Sequence, residues 1–127
     1  MSNPITAGAS LSLNAAGVNV SLSQQNISVA QTGSKYSEQI ILTATTSGGT
    51  VIPVSGLANL GFCLIQNLDP TNYVDIMTGL AGSSGVAFAR LLPGDPPFLF
   101  RFTPAVTAPA LLAHTAGCLC QLLILEI

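Results

Sequence analysis

Residues 60–77 read LGFCLIQNLDPTNYVDIM, and this stretch decides the fold class. Its first half, Leu60 to Asn67, is a nearly continuous apolar run, which predicts a central strand buried on both faces. A turn follows, because Asp69 can accept hydrogen bonds from nearby backbone amides and Pro70 fixes the φ that a turn needs. Residues 72–77 then return antiparallel to the first strand. The stretch therefore predicts a pair of antiparallel strands at the centre of an all-β domain.

Alternation of apolar and polar residues with period two recurs on both sides of this strand pair, whereas no stretch of eleven or more residues has a helical stripe. Turn signals separate the alternating segments, and the strongest is the run from Pro93 to Pro97. Eight or more short strands about ten residues apart are typical of β-sandwiches and jelly rolls. We therefore predict an all-β fold, a single antiparallel β-sandwich with a jelly-roll-like arrangement. The other predicted strands lie near residues 11–13, 18–22, 27–29, 38–46, 50–54, 86–92, 98–103 and 117–127.

The chain of 127 residues has the length of one domain with one core. Its first ten residues, Met1 to Ser10, contain Pro4 and Gly8 and little apolar content. This composition predicts a short flexible N-terminal arm that could become ordered against a neighbouring molecule. Residues 11–127 are then the single β-sandwich domain.

The last predicted strand, residues 117–127, is apolar on both faces. Because side chains alternate along a strand, one face carries four residues and the other face carries four more. Apolar residues on both faces require cover on both sides of the sheet. The first set is Cys118, Cys120, Leu122 and Ile124, and the second is Leu119, Leu123, Leu125 and Ile127.

Cysteine and phenylalanine side chains are predicted to fill the core. The chain has three cysteines, so at least one cannot pair within it, and we interpret Cys63, Cys118 and Cys120 as small buried hydrophobes. A strand near residues 98–103 places Phe98, Phe100 and Phe102 on one face and Arg101 on the other. We expect the three rings to pack against the opposite sheet.

Charged residues make up only 6% of the chain, where soluble domains carry about 25%. This shortage indicates that much of the outer surface is covered by partners or is neutral and polar. A net charge of −2 argues against binding to nucleic acid, which needs clustered Lys and Arg. The first ten residues lack the pattern of a signal peptide, and no apolar run has the roughly twenty residues of a membrane span. We expect no membrane partner and synthesis in the cytoplasm.

No constellation of residues indicates catalysis. His114 is the only histidine, no serine has the Gly-x-Ser-x-Gly context of a nucleophile elbow, and we interpret His114 as a surface or interface residue. Asp75 and Glu126 are predicted to pair with Arg90 or Arg101 or to be solvated. Turns account for Asp69 and Asp95. We predict that the protein is not an enzyme and has no catalytic, cofactor-binding or metal-binding residues.

Several segments together resemble small virion proteins of tailed bacteriophages, of the kind that decorate or cement the capsid. The resemblance begins near Ser21 and covers most of the chain, and its most distinctive string is NLDPTNYV at residues 67–74. The other segments are SVAQTG at residues 28–33, IIL at 40–42, LPGD at 92–95 and LLILE at 122–126. The resemblance implies a virion component, commonly a trimer, and it carries over no catalytic residues.

The expected function is therefore structural. We predict a homo-oligomer, in particular a trimer, on the outside of a phage head, where it binds across subunits of the major capsid protein. The expected contact elements are residues 1–10, 79–85, 93–97 and 104–109. Alternatives are another head, tail or fibre component, or a carbohydrate-binding β-sandwich module. The second alternative should display aromatic platforms, whereas this chain has no Trp and two Tyr.

Overall fold

A computed structural model describes residues 3–15, 18–31, 35–45, 48–81 and 85–126. These residues form ten β-strands and contain no helix, which confirms the predicted all-β fold. The strands are β1 (Asn3–Ala15), β2 (Val18–Gln31), β3 (Tyr36–Leu42), β4 (Thr50–Val51), β5 (Leu60–Asn67), β6 (Val74–Met77), β7 (Ala87–Leu91), β8 (Phe98–Arg101), β9 (Ala110–Ala113) and β10 (Leu119–Glu126).

The chain forms two compact units, Met1–Ser34 and Lys35–Ile127. In the first unit β1 pairs antiparallel with β2, from Asn3 opposite Gln31 to Ala15 opposite Val18. This long hairpin corrects the predicted division into an arm, residues 1–10, and a sandwich domain, residues 11–127. Ser10 lies inside β1, and residues 11–31 belong to the hairpin sheet and not to the sheets of the sandwich. The physical reason is that the alternation of the predicted strand at residues 11–13 already begins at Ile5, with the small residues Ala7 and Ala9 in apolar positions.

The second unit is a β-sandwich of two four-stranded antiparallel sheets, as predicted. One sheet has the order β3-β10-β5-β8 and the other has the order β4-β9-β6-β7. In four of the pairings, a strand from the first half of this unit pairs with a strand from its second half. These pairings are β3 with β10, β4 with β9, β5 with β8 and β6 with β7. The second half of this unit therefore runs back along the first half. Two further pairings, β5 with β10 and β6 with β9, complete the sheets. The prediction that residues 72–77 return as the antiparallel partner of β5 is wrong, because β5 and β6 belong to different sheets and the turn between them carries the chain from one sheet to the other.

The core lies between the two sheets and confirms the predicted inner face of the last strand. Cys120, Leu122 and Ile124 of β10 are at most 1% exposed, and so is Cys118, which precedes the strand. All three cysteines are free and buried. The opposite sheet contributes Val74, Ile76, Leu111 and Ala113 to the same cluster.

The predicted phenylalanine face is also confirmed. Phe102 is buried, Phe98 and Phe100 pack against the core, and Arg101 is exposed on the other side of β8. The ring of Phe100 contacts those of Phe98 and Phe102, with centroids 5.1 and 4.8 Å apart. Aromatic contacts of this kind fill the space between the sheets at the edge strand β8.

Two turns have the chemistry that the sequence predicts. Gly94 has a φ of +80°, and the amide of Asp95 donates to the carbonyl of Leu92 over 3.2 Å, as expected for a turn with Pro93 before the glycine. In the other turn, Asp69 Oδ1 accepts backbone hydrogen bonds from the residues two and three positions later, at 2.8 and 2.6 Å. These backbone bonds lower the pKa of Asp69 below its ordinary value.

Candidate functional site

The outer surface of the β3-β10-β5-β8 sheet is largely apolar. Five of its side chains have exposed fractions between 39% and 66%, and we name this surface the apolar face: Tyr36, Ile40, Leu42, Leu64 and Leu119. The prediction that β5 is buried on both faces is wrong for the single chain, since Leu64 is 39% exposed. The last strand, β10, was expected to need cover on both faces, and the opposite sheet covers its inner face within the chain.

The strand register arranges the apolar side chains in rows across the sheet. Leu42 lies opposite Leu119, and in the next strands Leu123 lies opposite Leu64, which in turn lies opposite Leu99. Four strands spaced about 4.8 Å apart, with about eight residues at 3.3 Å each in the longest, give a surface on the order of 500 Å². Apolar patches of a few hundred Å² on soluble proteins mark sites of interaction with other molecules.

Polar groups lie at the edges and in one row of this face. Glu38 belongs to the edge strand β3 and Arg101 to the opposite edge strand β8, and the structure gives neither an ion-pair partner among the residues it describes. Gln121 lies opposite Gln66 in the middle strands. A shallow cavity of about 230 Å³ lies beside this row. The outer surface of this sheet therefore has polar groups both at its edges and across its two middle strands.

A second cluster is polar and lies on the outer side of the β4-β9-β6-β7 sheet. Asp75 of β6 lies opposite Arg90 of β7. The guanidinium donates two hydrogen bonds to the carboxylate, from Nε to Oδ1 over 2.6 Å and from Nη2 to Oδ2 over 2.9 Å. The Asp75 side chain is only 8% exposed. The predicted pairing of Asp75 with Arg90 is therefore confirmed.

His114 and Tyr73 complete this cluster. Nε2 of His114 lies 2.8 Å from Oδ2 of Asp75, and its ring stacks on Tyr73 with centroids 4.9 Å apart. The Arg90 guanidinium lies 4.1 Å from the centroid of the same Tyr73 ring. His114 is thus held at the surface by a carboxylate and an aromatic ring, and its side chain is 35% exposed.

The electrostatics of the polar cluster centre on Asp75. Hydrogen bonds from Arg90, and to a smaller extent the contact with His114, lower the pKa of Asp75 against the opposing effect of burial. Among the described residues, the polar partner of His114 is the Asp75 carboxylate and not a serine, threonine or cysteine side chain. A carboxylate that binds an arginine and a histidine in this way fixes the relative positions of two strands, β6 and β7, and of the residue that follows β9.

The remaining residues singled out from the sequence are placed apart from both surfaces. Glu126 accepts hydrogen bonds from the backbone amides of Ala58, at 2.8 Å, and Lys35, at 3.3 Å. The expected contact segment 104–109 lines a cavity of about 630 Å³ together with the connection between β4 and β5. Residues 82–84 of the expected contact segment 79–85 lie outside the described residues.

Sequence reasoning missed the partnership of Tyr73 with His114. Its only signal is that Tyr73 and Asp75 are two apart and so share a strand face. Within the part of the chain that the structure describes, no group of three or more His, Cys, Asp or Glu side chains could hold a metal ion.

The chain was compared with protein-family models, curated proteins and solved structures, and none of them matches it. The described residues include no helix that is long and apolar enough to cross a membrane.

Proposed function

We propose that this chain is a structural virion protein that decorates a phage head, with the apolar face bound across neighbouring subunits of the major capsid protein. It would act mechanically, as a cement that joins capsid subunits from the outside. In this proposal the protein is made in the cytoplasm of the bacterial host and is then located on the capsid exterior. The sequence resemblance to decoration proteins suggests that the particle is a phage head. The apolar face supplies a surface that could bind the capsid subunits.

The observation that carries the proposal is the exposure of the apolar face in a chain with so few charges. Side chains such as Ile40 and Leu42, at 64% and 65% exposure, leave apolar area in water that another molecule can cover. At about 25 cal/mol per Å², each 100 Å² of apolar area that is buried contributes roughly 2.5 kcal/mol before costs. Association itself costs an estimated 4–15 kcal/mol, so one face alone binds only weakly.

This weak single contact favours an oligomer. Several joined copies bind a capsid with much greater avidity than one copy, provided that all can engage together. A symmetric homo-oligomer, in particular a trimer, would present three apolar faces to capsid subunits that are themselves arranged symmetrically. We therefore include a homotrimer in the proposal.

We also infer a jelly-roll arrangement for the sandwich. Its pairings follow a two-stranded ribbon rolled into two sheets, with β3 next to β10 and β6 next to β7. Jelly rolls of eight strands occur in viral capsid proteins, among others. This arrangement is compatible with a virion protein and is not specific to one, since folds host many functions.

The test is to mix the purified full-length protein with unexpanded and with expanded capsids of the phage that encodes it, and to separate bound from free protein by sedimentation. We expect binding to at least one capsid form, with little loss at high salt because the contact is apolar. Failure to bind either form would contradict the proposal. Binding to isolated tails, with none to capsids, would favour a tail component instead.

A further inference from the structure

We propose that the hairpin formed by β1 and β2 is the element that joins copies of this chain, three hairpins closing around a common axis. This assignment rests on the trimer of the proposed function and names the segment responsible for it. The reasons lie in the hairpin's register, its exposure, its lack of charge and its two open edges.

The hairpin has one apolar face. Its register places Leu11 opposite Leu22, Leu13 opposite Val20 and Ala15 opposite Val18. Since alternate positions of paired strands belong to the same face, these six positions lie together. The pairs between them are polar, namely Ser10 with Ser23, Ser12 with Ser21 and Asn14 with Asn19.

The apolar face of the hairpin has no cover in the single chain at Leu11 and Leu22, whereas Ile5, nearer the start of β1, is buried. Leu11 is 78% exposed and Leu22 is 74% exposed, the highest values among the large hydrophobic residues. A two-stranded hairpin alone is marginally stable in water, because it has no second layer against which to bury such residues. A hairpin with strands of 13 and 14 residues therefore needs further strands.

Identical hairpins can supply those strands without electrostatic cost. Residues 1–34 contain no Asp, Glu, Lys, Arg or His, so no like charges meet when copies associate. Among the described residues β1 and β2 pair only with each other, which leaves one open edge on each strand. Open edges are templates for pairing with another chain.

Three copies satisfy both requirements at once. If β2 of each copy pairs with β1 of the next, six antiparallel strands close into a ring with no open edge and with the apolar faces inside. The five residues of β1 from Leu11 to Ala15 span about 17 Å, so this part of a ribbon about 10 Å wide has an area on the order of 170 Å² on one face. Three such faces amount to roughly 500 Å², to which the three new strand pairs add their backbone hydrogen bonds.

The test compares two opposed pairs that are adjacent in the hairpin. The variant Leu11→Asn with Leu22→Asn changes the apolar face, and the control Ser12→Asn with Ser21→Asn changes the polar face of the same ribbon. We expect the wild-type protein and the control to sediment as trimers at micromolar concentration and the leucine variant to sediment as a monomer. Circular dichroism would verify that the sandwich of the leucine variant remains folded.

Cross-linking gives a second readout that does not depend on the leucine variant. The native cysteines are at most 1% exposed, so a cysteine introduced into the hairpin is the accessible thiol. With a short bis-maleimide, Leu11→Cys should yield covalently joined chains and Ser12→Cys should yield few. Equal cross-linking at both positions would overturn the assignment.

These measurements need no capsids and so separate the two proposals. A wild-type monomer or dimer, or a trimer that survives the leucine changes, would overturn the role of the hairpin while capsid binding could still be observed. Loss of the trimer in the leucine variant, together with failure of the wild-type trimer to bind capsids, would support the hairpin's role and refute the proposed function.

Discussion

Replacing Ile40 and Leu64 together by serine should weaken capsid binding. The two residues lie on the apolar face, on the edge strand β3 and on the inner strand β5, and are 64% and 39% exposed. Together they leave about one whole aliphatic side chain in water that the capsid could cover. Fully burying such a side chain contributes about 1.5–3 kcal/mol. Binding should therefore weaken by roughly 10- to 150-fold.

A matched control is available elsewhere on the sandwich. Val86 is 64% exposed and Val51 is 40% exposed, and both lie outside the apolar face. In the control variant Val51→Ser with Val86→Ser, the replaced side chains have exposed fractions similar to those of Leu64 and Ile40. The packing within the chain that is lost should therefore be similar in both variants. We expect both double variants to lose comparable free energy of unfolding in urea, of about 1–3 kcal/mol.

The assay is the capsid sedimentation experiment with each double variant over a range of protein concentrations. The change at Ile40 and Leu64 should raise the Kd, and the control change should leave it within about twofold, since surface changes outside an interface have small effects. Equal Kd values for the wild type and the first variant would refute the assignment of the apolar face. Equal weakening by both variants would refute it as well.

Three further predictions concern the stability and reactivity of the sandwich. Asp75→Asn should lower the free energy of unfolding by about 1–3 kcal/mol at neutral pH, because it weakens the bonds from Arg90. The folded-state pKa of Asp75 is lowered, so this stability is present above the ordinary carboxyl pKa of about 3.9 and is lost as the pH falls through the lower folded value. The free energies of unfolding of the two proteins, measured in urea, should therefore converge in acid. A difference that stays constant with pH would contradict the pairing. Burial raises the pKa of Cys63 and Cys120 to about 12, so a thiol reagent at mildly alkaline pH should modify them only after unfolding, and rapid modification of the native protein would contradict their burial. Gly94→Ala should lose about 1 kcal/mol in the same urea assay because φ is +80°, and an unchanged midpoint would argue against that turn.

Local features of the sandwich could be predicted from the sequence because they depend on neighbouring residues. Alternation placed Phe98, Phe100 and Phe102 on the core side of β8, and the side chain of Asp69 was expected to bind the backbone of its own turn. Each of these rests on the strand period or on turn chemistry within a few residues. The extent of β1 was missed because Ala7 and Ala9 give a weak apolar signal.

Long-range features could not be predicted in the same way. The polar cluster joins Asp75 of β6 and Arg90 of β7 with His114, which follows β9, and no local pattern specifies which strands become neighbours. The apolar run of β5 indicated correctly that its residues need cover. It could not indicate that only the inner side is covered within the chain, because apolar content is the same whichever molecule provides the contact.

The most direct test of the central claim is a reconstruction of the intact phage particle at side-chain resolution. The account predicts the sandwich on the outer surface of the head, with Ile40 and Leu64 in contact with two neighbouring capsid subunits and three hairpins meeting on an axis. A particle without this chain on its exterior, or one in which the apolar face is open to solvent, would contradict the account.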